Sequence, residues 1–129
     1  MNLISLVSTQ TFIIPIIYAF NLEQYVLFSS YFIMYIGSTC FHSSNNNSYL
    51  YNFDIFTSRL STFINFCYAC NKIPIHFNIL LLNNLTITYL YSCSLYQLDS
   101  YFAVYSYVYF HLWVSVSGVL LCKRCTLLN

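Results

Sequence analysis

The sequence predicts an all-α protein, a multi-span helical membrane bundle of about five transmembrane helices. Two observations carry that reading. Charged residues make up only 5% of the 129 residues while hydrophobic residues make up 59%, against roughly 25% charged in ordinary soluble domains. The apolar residues also fall into five long stretches parted by short polar breaks. A soluble domain of this size must cover a large surface with polar side chains. Four basic and three acidic side chains cannot do so, whereas a bilayer accepts an apolar exterior.

Spanning the hydrocarbon takes roughly 20 apolar residues, with a range of about 17–25. The first candidate span is 3–20 and contains Pro15. It could be a secretory signal, but Met1-Asn2 supplies no Lys or Arg and no small-x-small cleavage site follows, so an uncleaved span is expected. Asn21-Leu22-Glu23-Gln24 separates it from the second span, 25–41. The stretch from His42 to Asn52, rich in Ser and Asn, reads as the clearest loop.

The third span is 55–70 and the fourth 73–93. Between them lies Asn71-Lys72-Ile73-Pro74, where proline suits the first turn of a helix because no N–H partner is needed there. These two spans are the most polar, carrying Arg59, Asn65, Asn78, Asn83 and Asn84 among others. Such groups must face partners or a wet interior, and a helical hairpin that enters only part-way is the alternative. The fifth span, 101–122, follows a break containing Gln97 and Asp99. The whole chain, 1–129, reads as one membrane domain.

Five spans place Lys72, Lys123 and Arg124 on one side of the membrane. The positive-inside rule makes that side cytoplasmic, with the C-terminus there and the N-terminus outside or lumenal. Asn46-Asn47-Ser48 is then a glycosylation sequon in an outside loop, with Asn46 the acceptor. Asn84-Leu85-Thr86 has the same pattern but lies within a span. A net charge of +1 excludes a nucleic-acid surface, which needs clustered Lys and Arg. The expected partners are the lipid bilayer and other helices within it.

Cys67-x-x-Cys70 and Cys122-x-x-Cys125 both fall at the cytoplasmic ends of spans. Two such pairs can make a tetrahedral zinc site, but here no compact turn joins them. Cys122 and Cys125, beside Lys123 and Arg124, are candidates for S-palmitoylation. The plainest reading is that they are small, membrane-compatible residues.

The sharpest constellation is Ser38, His42 and Asp54. Ser38 and His42 are four apart and share a helix face. Asp54 opens the next span on the same side of the membrane, where it could also serve as an N-cap. A neutral imidazole can bind zinc and a carboxylate can orient the metal-bound water. The bland alternative, favoured on spacing alone, is that His42 and Asp54 mark helix ends at the wet interface. His76 reads as interfacial, near the opposite face.

The run from Tyr31 to Ser43, with Ser38-x-x-x-His42, resembles the second span of the group containing alkaline ceramidases, progestin/adipoQ receptors and myomaker-like proteins. Phe53-Asp54-Ile55-Phe56-Thr57-Ser58-Arg59 resembles the start of that family's third span, closest to the myomaker-like branch. The similarity covers about residues 25–72. It implies seven spans and a zinc site used in lipid amide hydrolysis, with Ser38 and Asp54 in the catalytic set and His42 and His111 as metal ligands. The family completes its site with His-x-x-x-His in the last span. Here His111 stands alone, with Tyr107 four residues before and Ser115 four after.

The missing histidine and two missing spans weigh against zinc and catalysis. The expectation is therefore a multi-pass membrane protein, a truncated or divergent myomaker-like relative with no catalytic activity and no cofactor. A zinc-dependent lipid amidase is the second reading. The third is a chance or degenerate reading frame, since T-rich DNA yields this same composition.

Overall fold

The computed structural model describes residues 3–44, 47–97 and 102–127, and among them every regular element is helical. Helix α1 (Leu3–Thr9), a 3₁₀ turn (Gln10–Phe12) and α2 (Ile13–Asn21) form the first rod. Then come α3 (Tyr25–Ser43), α4 (Ser48–Cys70), α5 (Ile75–Gln97) and α6 (Ala103–Leu127). The 3₁₀ turn has a local cause: Pro15 has no N–H to offer the carbonyl four residues earlier, so the turn before it tightens.

Two stretches combine the length and the apolarity needed to cross a bilayer among the described residues. They are Leu3–Asn21, with mean hydropathy 1.8, and Ala103–Leu127, with 1.4. The 19 residues of α3 and the 23 each of α4 and α5 have the length. Their Ser, Thr and Asn side chains lower the hydropathy.

The first rod ends in a Schellman turn. Gln24 N–H bonds Ala19 O at 2.9 Å and Glu23 N–H bonds Phe20 O at 3.0 Å. Glu23 takes φ 57°, the left-handed position where glycine is usual. At α4 the helix begins earlier than the expected 55–70, because Asn47 caps it. The Asn47 side chain accepts from Tyr49 N at 2.9 Å and Leu50 N at 3.3 Å. The expected loop from His42 to Asn52 thus shrinks, and Asp54 lies inside the helix instead of capping it. Asn46, the acceptor of the sequon, lies outside the described residues, as do Asp99 and Tyr101.

The first rod packs against both α3 and α6; α4 leans on α3, and α5 on α6. Consecutive helices α4 and α5 touch little, meeting near their joined ends where the Asn78 amide donates to Phe66 O at 3.1 Å. At one end, the Gln24 amide donates to Cys122 O at 2.9 Å and to Thr126 Oγ1 at 2.7 Å. At the same end the Arg124 guanidinium lies 5.7 Å above the Phe77 ring. The rods therefore alternate in direction.

Large apolar side chains face outward in number, while hydroxyl groups lie inside beside an apolar core that includes Phe12, Leu27 and Met34. Leu3, Val7, Ile14, Ile17, Phe63 and Ile87 are all more than half exposed. Ser5, Ser8, Thr9, Ser30, Thr57, Ser61 and Ser117 are buried between helices. Small residues set how closely the helices approach. A Cβ on Gly37 would collide with the Thr57 side chain of α4, 3.1 Å from its Cβ. A Cβ on Gly118 would lie 2.9 Å from both Pro15 Cβ and Tyr31 Cζ. Ser30 and Ser61 close the α3–α4 seam with a 2.7 Å hydroxyl pair.

Candidate functional site

The buried polar groups converge where α1, α3, α4 and α6 meet. Ser38 and His42 sit one turn apart on α3, and the close Gly37–Thr57 crossing brings α4 within reach. Ser38 Oγ donates to Asp54 Oδ1 at 2.5 Å, the short end of the O–H···O range and typical of bonds to carboxylates.

His42 and His111 come together from α3 and α6, with ring centroids 5.6 Å apart and the planes at 72°. Tyr107 packs edge-on beside both, 6.5 Å from His42 and 6.2 Å from His111. Phe12 closes the far side of His111 at 5.1 Å. Both imidazoles are buried, at 9% exposure for His42 and 3% for His111. His42 Nε2 is buried with no hydrogen-bond partner.

Ser8 of α1 supplies a contact that the sequence did not single out. Its Oγ lies 2.6 Å from His111 Nδ1 and donates to Ser5 O at 2.8 Å. A hydroxyl has one proton. The arrangement that satisfies both contacts has Nδ1–H of His111 donating to Ser8 and Ser8 donating to Ser5. This fixes the ring tautomer and leaves His111 Nε2 as an acceptor, the second-sphere logic of a ligand histidine. The available signal was the cluster Ser5, Ser8, Thr9 and Thr11 at helical spacing within an otherwise apolar span.

Ser115 holds the place where the resembled family has a third histidine. Its single hydroxyl proton is shared between His111 O at 2.9 Å and Thr11 Oγ1 at 3.0 Å, and the second contact ties α6 to the first rod. Among the described residues, no three His, Cys, Asp or Glu side chains form a group able to hold a metal ion. A catalytic zinc takes three protein ligands, and this donor set of two imidazoles does not fit one. The cluster links α1, α3, α4 and α6 and leaves His42 Nε2 open to a hydrogen-bond partner.

The remaining candidates lie elsewhere. Cys122 and Cys125 are buried in the core beside Tyr31 and Leu121, while Cys67 and Cys70 are exposed. Acylation at Cys122 or Cys125 would require α6 to move out of the bundle. Cys70 Sγ accepts from the Asn78 amide at 3.2 Å. His76 is exposed on the first turn of α5, away from the two-histidine cluster.

Together these features define a helical bundle with an apolar exterior and a buried two-histidine polar centre. No protein-family model, curated protein or solved structure matches the chain.

Proposed function

We propose that the chain is a multi-pass integral membrane protein whose five helical rods cross the bilayer and act through helix–helix and helix–lipid contacts, without catalysis. The observation that carries this reading is the apolar exterior combined with polar helix seams. Large apolar groups are exposed in number, while Ser, Thr and His side chains are buried between helices alongside the apolar core. Within lipid there is no hydrophobic drive between helices, so small residues and interhelical hydrogen bonds hold them. The pairs Ser8–His111, Ser30–Ser61 and Ser38–Asp54 join different helices. Such matched pairs favour an evolved packing over a chance reading frame.

The orientation has the N-terminus outside or lumenal and the C-terminus cytoplasmic. Arg124 stacks on Phe77 near the start of α5, and Lys72 lies in the turn just before that helix. This supports grouping Lys72, Lys123 and Arg124 at one end, the asymmetry that the positive-inside rule reads as cytoplasmic. The resemblance to the myomaker-like branch fits a short, non-catalytic relative in which Ser115 replaces a ligand.

Alkaline carbonate extraction of membranes from cells expressing the chain tests the reading. The protein is expected to stay in the pellet and to leave it only with detergent. Release into the carbonate supernatant as a folded helical protein would overturn it.

A further inference from the structure

The gap between α4 and α5 is a cavity of about 490 Å³, within the ~300–1,000 Å³ of small-molecule sites. Its walls are mostly apolar. Leu81, Leu82, Leu85 and Tyr89 line it from one stripe of α5, while Met34 of α3 and Val114 of α6 form the floor. Helices adjacent in sequence would ordinarily close on each other, and here that α5 stripe is left without α4 as its partner.

One charged side chain lines this cavity: Arg59, the middle residue of α4. No carboxylate is in the lining. Arg59 lines the cavity from α4 and Tyr89 lines it from α5, so both helices present a polar group to the same gap. A cation at mid-helix in a bilayer is costly and marks a functional position by default. Ser58 and Thr62, its neighbours on α4, also line the cavity.

We infer that the α4–α5 cleft binds one long-chain fatty carboxylate, its acyl chain along the leucine stripe of α5 and its head on Arg59. Charge complementarity selects this occupant. A planar guanidinium pairs a carboxylate through two parallel hydrogen bonds, and a single apolar cleft suits one chain. The inference rests on the membrane-bundle reading, because the cleft opens sideways, toward lipid in that reading.

The test uses the full chain in phosphatidylcholine nanodiscs, with the fluorescent fatty acid cis-parinarate as probe and oleate or oleyl alcohol as competitor. Saturable binding at one site is expected, with oleate displacing the probe at least tenfold better than oleyl alcohol. Arg59→Gln should abolish that preference and Arg59→Lys should keep part of it. Leu85→Trp, which fills the cleft, should abolish binding with helicity unchanged, while His42→Ala should leave binding intact. Equal competition by the alcohol, or unaltered binding by Arg59→Gln, would overturn the inference. So would a native mass spectrum showing a second copy of the chain in place of the fatty acid. Failure to bind by a protein that resists carbonate extraction sinks this inference alone; carbonate release sinks the parent reading.

Discussion

Ser8 and His111, 103 positions apart, meet at 2.6 Å and join the first rod to the last helix. The contact is buried, and Ser115–Thr11 repeats the same connection one turn away. The two chain ends are thereby locked side by side around the histidine pair.

Ser8→Ala is expected to destabilise the detergent-solubilised protein by about 1 kcal/mol, the scale of interhelical hydrogen bonds in membrane proteins. A double-mutant cycle with His111→Ala, read from thermal unfolding by circular dichroism, isolates the pair. Additive single mutants would mean that the bond contributes nothing.

Ser38→Ala should cost more than Ser8→Ala, about 1–3 kcal/mol, because it strips a half-buried carboxyl of its short hydrogen bond. Asp54→Asn keeps an acceptor for Ser38 and should cost less. The same melts rank the three variants, and a reversed order would contradict the assigned partners.

Gly37→Leu should force α3 and α4 apart, at a cost of about 1–3 kcal/mol for overpacking. Cross-linking of a Ser30→Cys, Ser61→Cys pair reports the seam directly. That disulfide should form readily in the parent chain and slowly once Gly37 is replaced. Unchanged cross-linking would mean that the helices do not cross at Gly37.

Glu23→Gly should stabilise the protein by about 1 kcal/mol, because a side chain in the left-handed region carries a penalty of roughly that size. A higher melting midpoint is the expected result. A lower one would show that the Glu23 side chain contributes more than its backbone strain costs.

Zinc should not be retained. After dialysis against a mild chelator, the purified protein is expected to hold far less than one zinc per chain, with full helicity. Stoichiometric zinc that disappears in His42→Ala would restore the amide-hydrolase reading.

The helical class and the approximate helix positions were legible because long apolar runs and polar breaks are local signals. The convergence of His42 with His111, and of Ser38 with Asp54, was legible from the helical spacing and the resemblance together. Helix ends were less so: Asn47 lies in a run of three asparagines, and only the folded geometry shows which one caps α4. Ser8 escaped notice because the hydroxyls of the first span, Ser5, Ser8, Thr9 and Thr11, mark a polar face without naming the partner it meets. The separation of α4 from α5 was hidden for a different reason. It depends on α4 preferring α3 through Gly37, Thr57, Ser30 and Ser61, a choice made by packing and not by any one segment.

The number of crossings decides the central claim most directly, and the two chain ends report it. Tags at each terminus, probed by protease or antibody in sealed and then permeabilised cells, give the side of each. Five crossings place the N-terminus outside or in the lumen and the C-terminus in the cytoplasm. If only the two most apolar stretches, Leu3–Asn21 and Ala103–Leu127, cross the bilayer, both ends lie on one side. That result would contradict the five-span bundle.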